Sequence, residues 1–108
     1  MHANFIKVES LDGLDELFAA SFDRPVVLFK HSNSCGISSH LLELAESIDG
    51  EVNVVVIQEN RALSNEIAER IGYRHQSPQV FVIIDGKAVY HATHYGIDPE
   101  KIAEYLKR

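Results

Sequence analysis

Runs of strand-forming residues alternate with segments of helical apolar spacing, which predicts an α/β fold on a mixed sheet. Two stretches decide the strand directions. Val54-Val55-Val56-Ile57 is apolar at consecutive positions, as suits a parallel strand covered on both faces. Asp85-Gly86 separates two other strand candidates by a two-residue turn, which forces that pair antiparallel.

The elements follow in order. Asn4 to Val8 is a short strand candidate ending at Glu9-Ser10. Ser10 or Asp12 caps the next helix, whose apolar face is Leu11, Leu14, Leu17, Phe18 and Phe22 at helical spacing. Asp23-Arg24-Pro25 breaks that helix and launches the strand Val26 to Lys30. A second helix carries Ile37, Leu41, Leu44, Ala45 and Ile48 and stops near Asp49-Gly50, a turn pair. Val52 to Gln58 reads as the buried strand, and Asn60 caps a helix with Leu63, Ile67, Ala68 and Ile71, stopped by Gly72.

Val80 to Ile84 and Ala88 to Thr93 form the hairpin around Asp85-Gly86, and Gly96 marks a further break. Asp98-Pro99-Glu100 starts the last helix with a cap, a proline at the first helical position and an acid in the first turn. The order is β-α-β-α-β-α-β-β-α. Right-handed crossovers make the first three strands parallel. Four helices on a mixed five-stranded sheet are the arrangement of a thioredoxin-like fold.

Composition narrows the class without naming a chemistry. The 108 residues suit a single thioredoxin-like domain over 1–108, and 45 % of them are apolar. No stretch approaches the roughly 20 apolar residues that a membrane span needs. The N-terminus shows no basic segment leading into a long apolar core, so a cytoplasmic location is expected. A net charge of −6 argues against nucleic-acid binding, which usually shows a basic patch. One cysteine excludes an intramolecular disulfide scaffold.

That cysteine, Cys35, stands where the strand Val26 to Lys30 has given way to a helix. A thiol at a first helical turn faces unpaired N–H groups and the positive end of the helix dipole. Both favour the thiolate, the form that attacks sulfur. The competing reading is a buried, inert cysteine, but Ser32, Asn33, Ser34 and Gly36 make its surroundings polar. Ser38 follows at Cys-x-x-Ser spacing, where its hydroxyl or backbone N–H can stabilise negative charge on the sulfur. Where a dithiol site would have its second cysteine there is a serine, so another thiol must resolve any mixed disulfide.

Ser77-Pro78 is the second signal. A proline just before a strand is either an ordinary trans residue or a cis bond kept for a purpose. In a thioredoxin-like domain this bond is cis, lies beside the nucleophile and leaves Ser77 backbone free to pair with an extended substrate. The six histidines follow no zinc-site rhythm, so no metal site is expected. His31, on the strand leading to Cys35, is a candidate source of positive charge beside a thiolate. Arg70, Arg74 and His75 could meet substrate carboxylates, but plain surface solvation is the favoured reading for all three.

Lys30-His31-Ser32, Ser34-Cys35-Gly36-Ile37-Ser38, His75-Gln76-Ser77-Pro78-Gln79-Val80 and Asp85-Gly86-Lys87 with Tyr90-His91-Ala92 resemble the YtxJ-type monothiol bacilliredoxins, with the motifs in the same order from Asn4 to Leu106. The resemblance implies a cytoplasmic thiol-disulfide oxidoreductase that removes bacillithiol from protein mixed disulfides. It assigns the nucleophile to Cys35, the serine of the motif to Ser38 and the cis proline to Pro78, with Gly36, Ser77 and Pro78 contacting substrate. It implies S-thiolated client proteins and bacillithiol or a similar small thiol as partners, no bound cofactor, and a monomer. The family commonly has proline directly after the cysteine, where this chain has Gly36. Cys-Gly-x-Ser also resembles the monothiol glutaredoxins that carry an iron–sulfur cluster between two subunits. Those usually have Phe in place of Ile37 and Thr-Val in place of Gln76-Ser77. A third possibility is a non-catalytic adaptor that binds a partner through the Ser77-Pro78 edge.

Overall fold

A computed structural model describes residues 3–34 and 36–107; Cys35 therefore lies outside the described residues. The strands are β1 (Asn4–Lys7), β2 (Val26–His31), β3 (Glu51–Val56), β4 (Gln79–Ile84) and β5 (Lys87–Thr93). The helices are α1 (Leu11–Ala20), α2 (Gly36–Leu44), α3 (Arg61–Ile71) and α4 (Pro99–Leu106). One five-stranded sheet runs β1-β3-β2-β4-β5. β1, β3 and β2 are parallel, and β4 runs antiparallel to both β2 and β5. This is the mixed α/β arrangement expected from the sequence.

Alternation along the inner strands divides the core between the two sheet faces. Val27, Phe29, Val54, Val80 and Val82 pack on one face with Leu41 of α2 and Ile102 of α4. Val26, Leu28, Val55, Phe81 and Ile83 pack on the other with Leu14 of α1 and Leu63 and Ile67 of α3. Each strand in the middle of the sheet is thereby covered twice, which explains its unbroken apolar run.

The caps have local causes. Ser10 Oγ accepts the Gly13 N–H at 3.0 Å, and Asn60 Oδ1 accepts the Leu63 N–H at 3.0 Å, each removing one orphan donor from a helix start. Asp98 does the same for Glu100 with Pro99 beginning α4. Gly72 ends α3 at φ +86°, a left-handed conformation that suits a residue without Cβ. In the β4–β5 turn, Asp85 and Gly86 have φ +54° and +75°, the pair of positive values that a two-residue turn of matching twist requires.

Two of these elements, α1 and β3, depart from the sequence reading. α1 ends at Ala20, so Phe22 leaves the helix face and is 66 % exposed. Leu11, also assigned to that face, is exposed. β3 stops at Val56, and Ile57, Gln58 and Glu59 form a turn; the apolar run outlasts the pairing because Ile57 still donates one bond to the His31 carbonyl.

Candidate active site

The register puts one end of the sheet together. His31 closes β2 opposite Val56 of β3, while Lys30 lies opposite Gln79, which starts β4, and Gln79 lies opposite Thr93, which closes β5. The segments that leave these ends are residues 32–34, the 57–59 turn, Ser77-Pro78 and a 3₁₀ turn over His94–Gly96. The Ser77–Pro78 peptide is cis. The Pro78 carbonyl accepts the His94 N–H at 3.1 Å, so the 94–96 turn is tied to it, and the same turn packs beside α2. Tyr95 projects from that turn, 75 % exposed.

Ser38 is in the first turns of α2 and is completely buried. Its Oγ accepts the Ser32 N–H at 3.0 Å and lies 2.8 Å from His31 Nδ1. With one lone pair engaged by Ser32, the hydroxyl hydrogen is free to donate to Nδ1, leaving the ring proton on Nε2. The serine thus binds the end of β2 to the start of α2 across residues 33–37. Gly36 opens α2, and a Cβ built there would meet nothing within 4 Å; sterics do not require glycine at this position.

Burial lowers the His31 pKa from its usual value, because a charged imidazolium is poorly solvated there. The sequence offered His31 as a source of positive charge; its environment favours the neutral ring, bonded to Ser38. The partners of Arg70 speak against its carboxylate-binding alternative. Its guanidinium lies 2.6 Å from Asp15 and 3.1 Å from Glu66 and stacks over Phe18 at 5.4 Å. It braces α3 against α1, and its charge is already matched. His75 Nδ1 lies 3.1 Å from Ser64 Oγ, and burial together with the Lys30 and Arg61 charges pushes its pKa down. Arg74 lends its backbone carbonyl to Gln79.

Three residues that organise this end escaped the sequence reading. Gln79 is buried, and its Nε2 donates to the Arg74 carbonyl at 3.0 Å and contacts His91 Nε2 at 2.9 Å. Its Oε1 accepts the Gln76 N–H at 3.3 Å. This amide fixes the segment that enters the Ser77–Pro78 bond, and Tyr73 stacks on His91 at 4.1 Å beside it. Lys30 is fully buried and donates to the Ser64 carbonyl at 3.1 Å. Gln58 reaches from its turn to Ser32, Asn33 and Ser34. A polar residue inside an otherwise apolar strand was the available signal for Lys30 and Gln79; Gln58 carries none.

Ser77 Oγ is buried with no hydrogen-bond partner among the described residues, an uncommon state for a hydroxyl and one that places a donor beside Pro78. Among the described residues no three His, Cys, Asp or Glu side chains group to hold a metal ion. No helix there is long and apolar enough to cross a membrane.

The fold is that of thioredoxin, with the cis Ser77–Pro78 peptide at one end of the sheet, and its similarity to a thioredoxin-fold oxidoreductase and to a bacilliredoxin family makes the chain a thiol-disulfide oxidoreductase. A proposed oxidoreductase with a thioredoxin fold is similar at a TM-score of 0.84 and 27 % identity, over 94 % of this chain and 92 % of that one. Thioredoxin (Mala s 13) of Malassezia sympodialis is similar in fold at TM-score 0.73 and 15 % identity, over 96 % and 89 % of the two chains. The short form of thioredoxin f from spinach chloroplast is similar at TM-score 0.70 and 19 % identity, over 98 % and 93 %. Residues 6–102 match the family model of monothiol bacilliredoxin BrxC. The chain belongs to that family.

Proposed function

We propose that this protein removes a small thiol, bacillithiol, from S-thiolated client proteins, using Cys35 as nucleophile. Cys35 thiolate attacks the small-thiol sulfur of the client's mixed disulfide. A Cys35–small-thiol disulfide forms and the client cysteine leaves as thiolate. A second small-thiol thiolate then attacks the small-thiol sulfur of that disulfide. Cys35 leaves as thiolate, and the oxidised dimer of the small thiol is released. Electrons and sulfurs balance without a bound cofactor.

The observation that carries this reading is the position of the Cys35-to-Ser38 segment in a bacilliredoxin chain: Gly36 opens α2, and Ser38 is locked to His31 and Ser32. Helix N–H groups favour thiolate at such a position, which helps most in the second step, where Cys35 is the leaving group. Gly36, Ser77 and Pro78 line the approach of the client, with the unpaired Ser77 hydroxyl as a donor toward it. We assign the protein to the cytoplasm, acting as a monomer.

Intact-mass analysis after incubation with oxidised bacillithiol and, separately, oxidised glutathione tests the reading. An adduct from bacillithiol that is absent in Cys35→Ala, with release of bacillithiol from a thiolated client, is the expected result. Adduct from neither disulfide refutes it. A brown, oxygen-sensitive dimer after anaerobic reconstitution with iron, sulfide and glutathione replaces it with the iron–sulfur carrier. Cellular activity unchanged in Cys35→Ala replaces it with the adaptor.

A further inference from the structure

We propose that Gln58 is a positioning residue for the nucleophile, its side-chain amide fixing the three residues that precede Cys35; this rests on the reading of Cys35 as the attacking thiol. Gln58 lies in the turn after β3, the parallel neighbour of β2. Its Oε1 accepts the Asn33 N–H at 3.1 Å. A backbone N–H can only donate, which settles the amide's orientation and turns Nε2 toward the serines. Nε2 donates to Ser32 Oγ at 2.6 Å and to Ser34 Oγ at 3.0 Å. One side chain therefore grips three consecutive residues, and Ser32 passes the restraint on through its N–H to Ser38 in α2.

Counting hydrogens gives the amide a second consequence. Nε2 has two hydrogens and gives one to each serine. The seryl oxygens lie 3.3 Å apart, so one hydroxyl donates to the other and a single hydroxyl hydrogen has no acceptor among the described residues. That donor is on Ser32 or Ser34, the latter adjacent to Cys35 in sequence, and it is available to an anion formed there. An amide at 58 thus both holds the loop and leaves it one donor richer. The neighbouring carboxylate, Glu59, is bound by Lys7 at 2.8 Å and does not compete for the serines.

Because the protein has one cysteine, alkylation by iodoacetamide across pH reports the Cys35 thiolate without any physiological substrate. Gln58 is exposed, so its replacement leaves the core intact. Gln58→Met keeps length and removes all three bonds. Gln58→Glu keeps the acceptor for Asn33, but both hydroxyls then donate into the carboxylate, which spends the spare hydrogen and adds a negative charge. The thiol pKa is expected to rise by about half a unit or more in Gln58→Met and further in Gln58→Glu, with the Gln58→Glu melting temperature close to wild type. Variants that titrate like a wild-type thiol of low pKa overturn the inference and leave the exchange reaction standing. A wild-type thiol that titrates near the ordinary value of about 8.5 and forms no adduct overturns both. Should Gln58→Met fail to fold, Gln58→Glu carries the test alone.

Discussion

Lys30 offers the sharpest physical test, because the fold buries an ammonium with no carboxylate partner among the described residues. The side chain is 0 % exposed, and its ammonium donates to the neutral Ser64 carbonyl at 3.1 Å. Desolvation lowers its pKa from 10.5 to about 8. At about 1.4 kcal/mol per pH unit, this displacement amounts to a penalty of about 3 kcal/mol while the amine is charged. The folded protein holds the proton less tightly than the unfolded chain, so between pH 8 and 10.5 the unfolded state binds more protons and stability rises with pH. Below pH 8 the full penalty applies. Lys30→Met removes it at the loss of one charge-assisted hydrogen bond, worth about 1.5–3 kcal/mol, so the two proteins differ little near neutrality. The discriminating quantity is the slope. Urea unfolding of both from neutral pH to about pH 10 should show wild type gaining up to about 3 kcal/mol relative to Lys30→Met. In the same variant the His75 pKa should move up, since the Lys30 charge is one cause of its depression. Parallel stability curves would refute the argument that Lys30 is desolvated in the native state.

Ser38→Ala removes the acceptor of the Ser32 N–H and the partner of His31 Nδ1, both buried; it should cost about 2 kcal/mol, read by chemical denaturation, and slow adduct formation at Cys35. Gly72→Ala forces a Cβ into the left-handed region at φ +86°; a loss of about 1–2 kcal/mol is expected, although a Cβ there would touch nothing. Raising salt should leave the Cys35 thiol pKa nearly unchanged, because dipoles and buried groups are weakly screened. A rise of about one unit between low and high salt would point instead to exposed cations.

The element order was legible because each element obeys its own period. The consecutive valines of β3, the Asp85-Gly86 turn and the Asp98-Pro99 start are local signals with local causes, and all three are where the sequence places them. The errors fall where tertiary contact overrides pattern. Phe22 has the spacing of the α1 face, but Ser21 is drawn away: its carbonyl accepts the Asp85 N–H and its hydroxyl the Gly86 N–H. That anchoring to the β4–β5 turn ends the helix. The residue types of His31 and Arg70 do not disclose their partners, and only the surroundings show an imidazole whose burial disfavours the charge and a paired guanidinium. Gln58 was illegible for a deeper reason. Its partners are 24 to 26 residues away in sequence, brought close by strand pairing alone, and an exposed glutamine in a turn looks like any other.

The polarity of this sheet end comes from dipoles more than from charges. His31, His75 and His91 all have lowered pKa values from burial, and Arg70 is spent on Asp15 and Glu66. Apart from the buried Lys30 ammonium, which is held by the Ser64 carbonyl of α3, what remains around the loop is a set of oriented N–H and O–H groups, held by two glutamines. Gln58 grips residues 32–34 on one side, and Gln79 holds Arg74 and Gln76 ahead of Ser77–Pro78 on the other. An amide suits both places because it donates and accepts at once without carrying charge. A carboxylate in either would oppose a thiolate, and an ammonium would bind it too tightly to let it attack. For a monothiol enzyme the second point matters, since the same sulfur must attack in one step and leave in the next. A nucleophile whose pKa is lowered too far gains as a leaving group and loses as an attacker. Under the proposed function, neutral donors held by amides would favour the Cys35 thiolate without pairing it to a cation, which suits a sulfur that attacks in one step and leaves in the next.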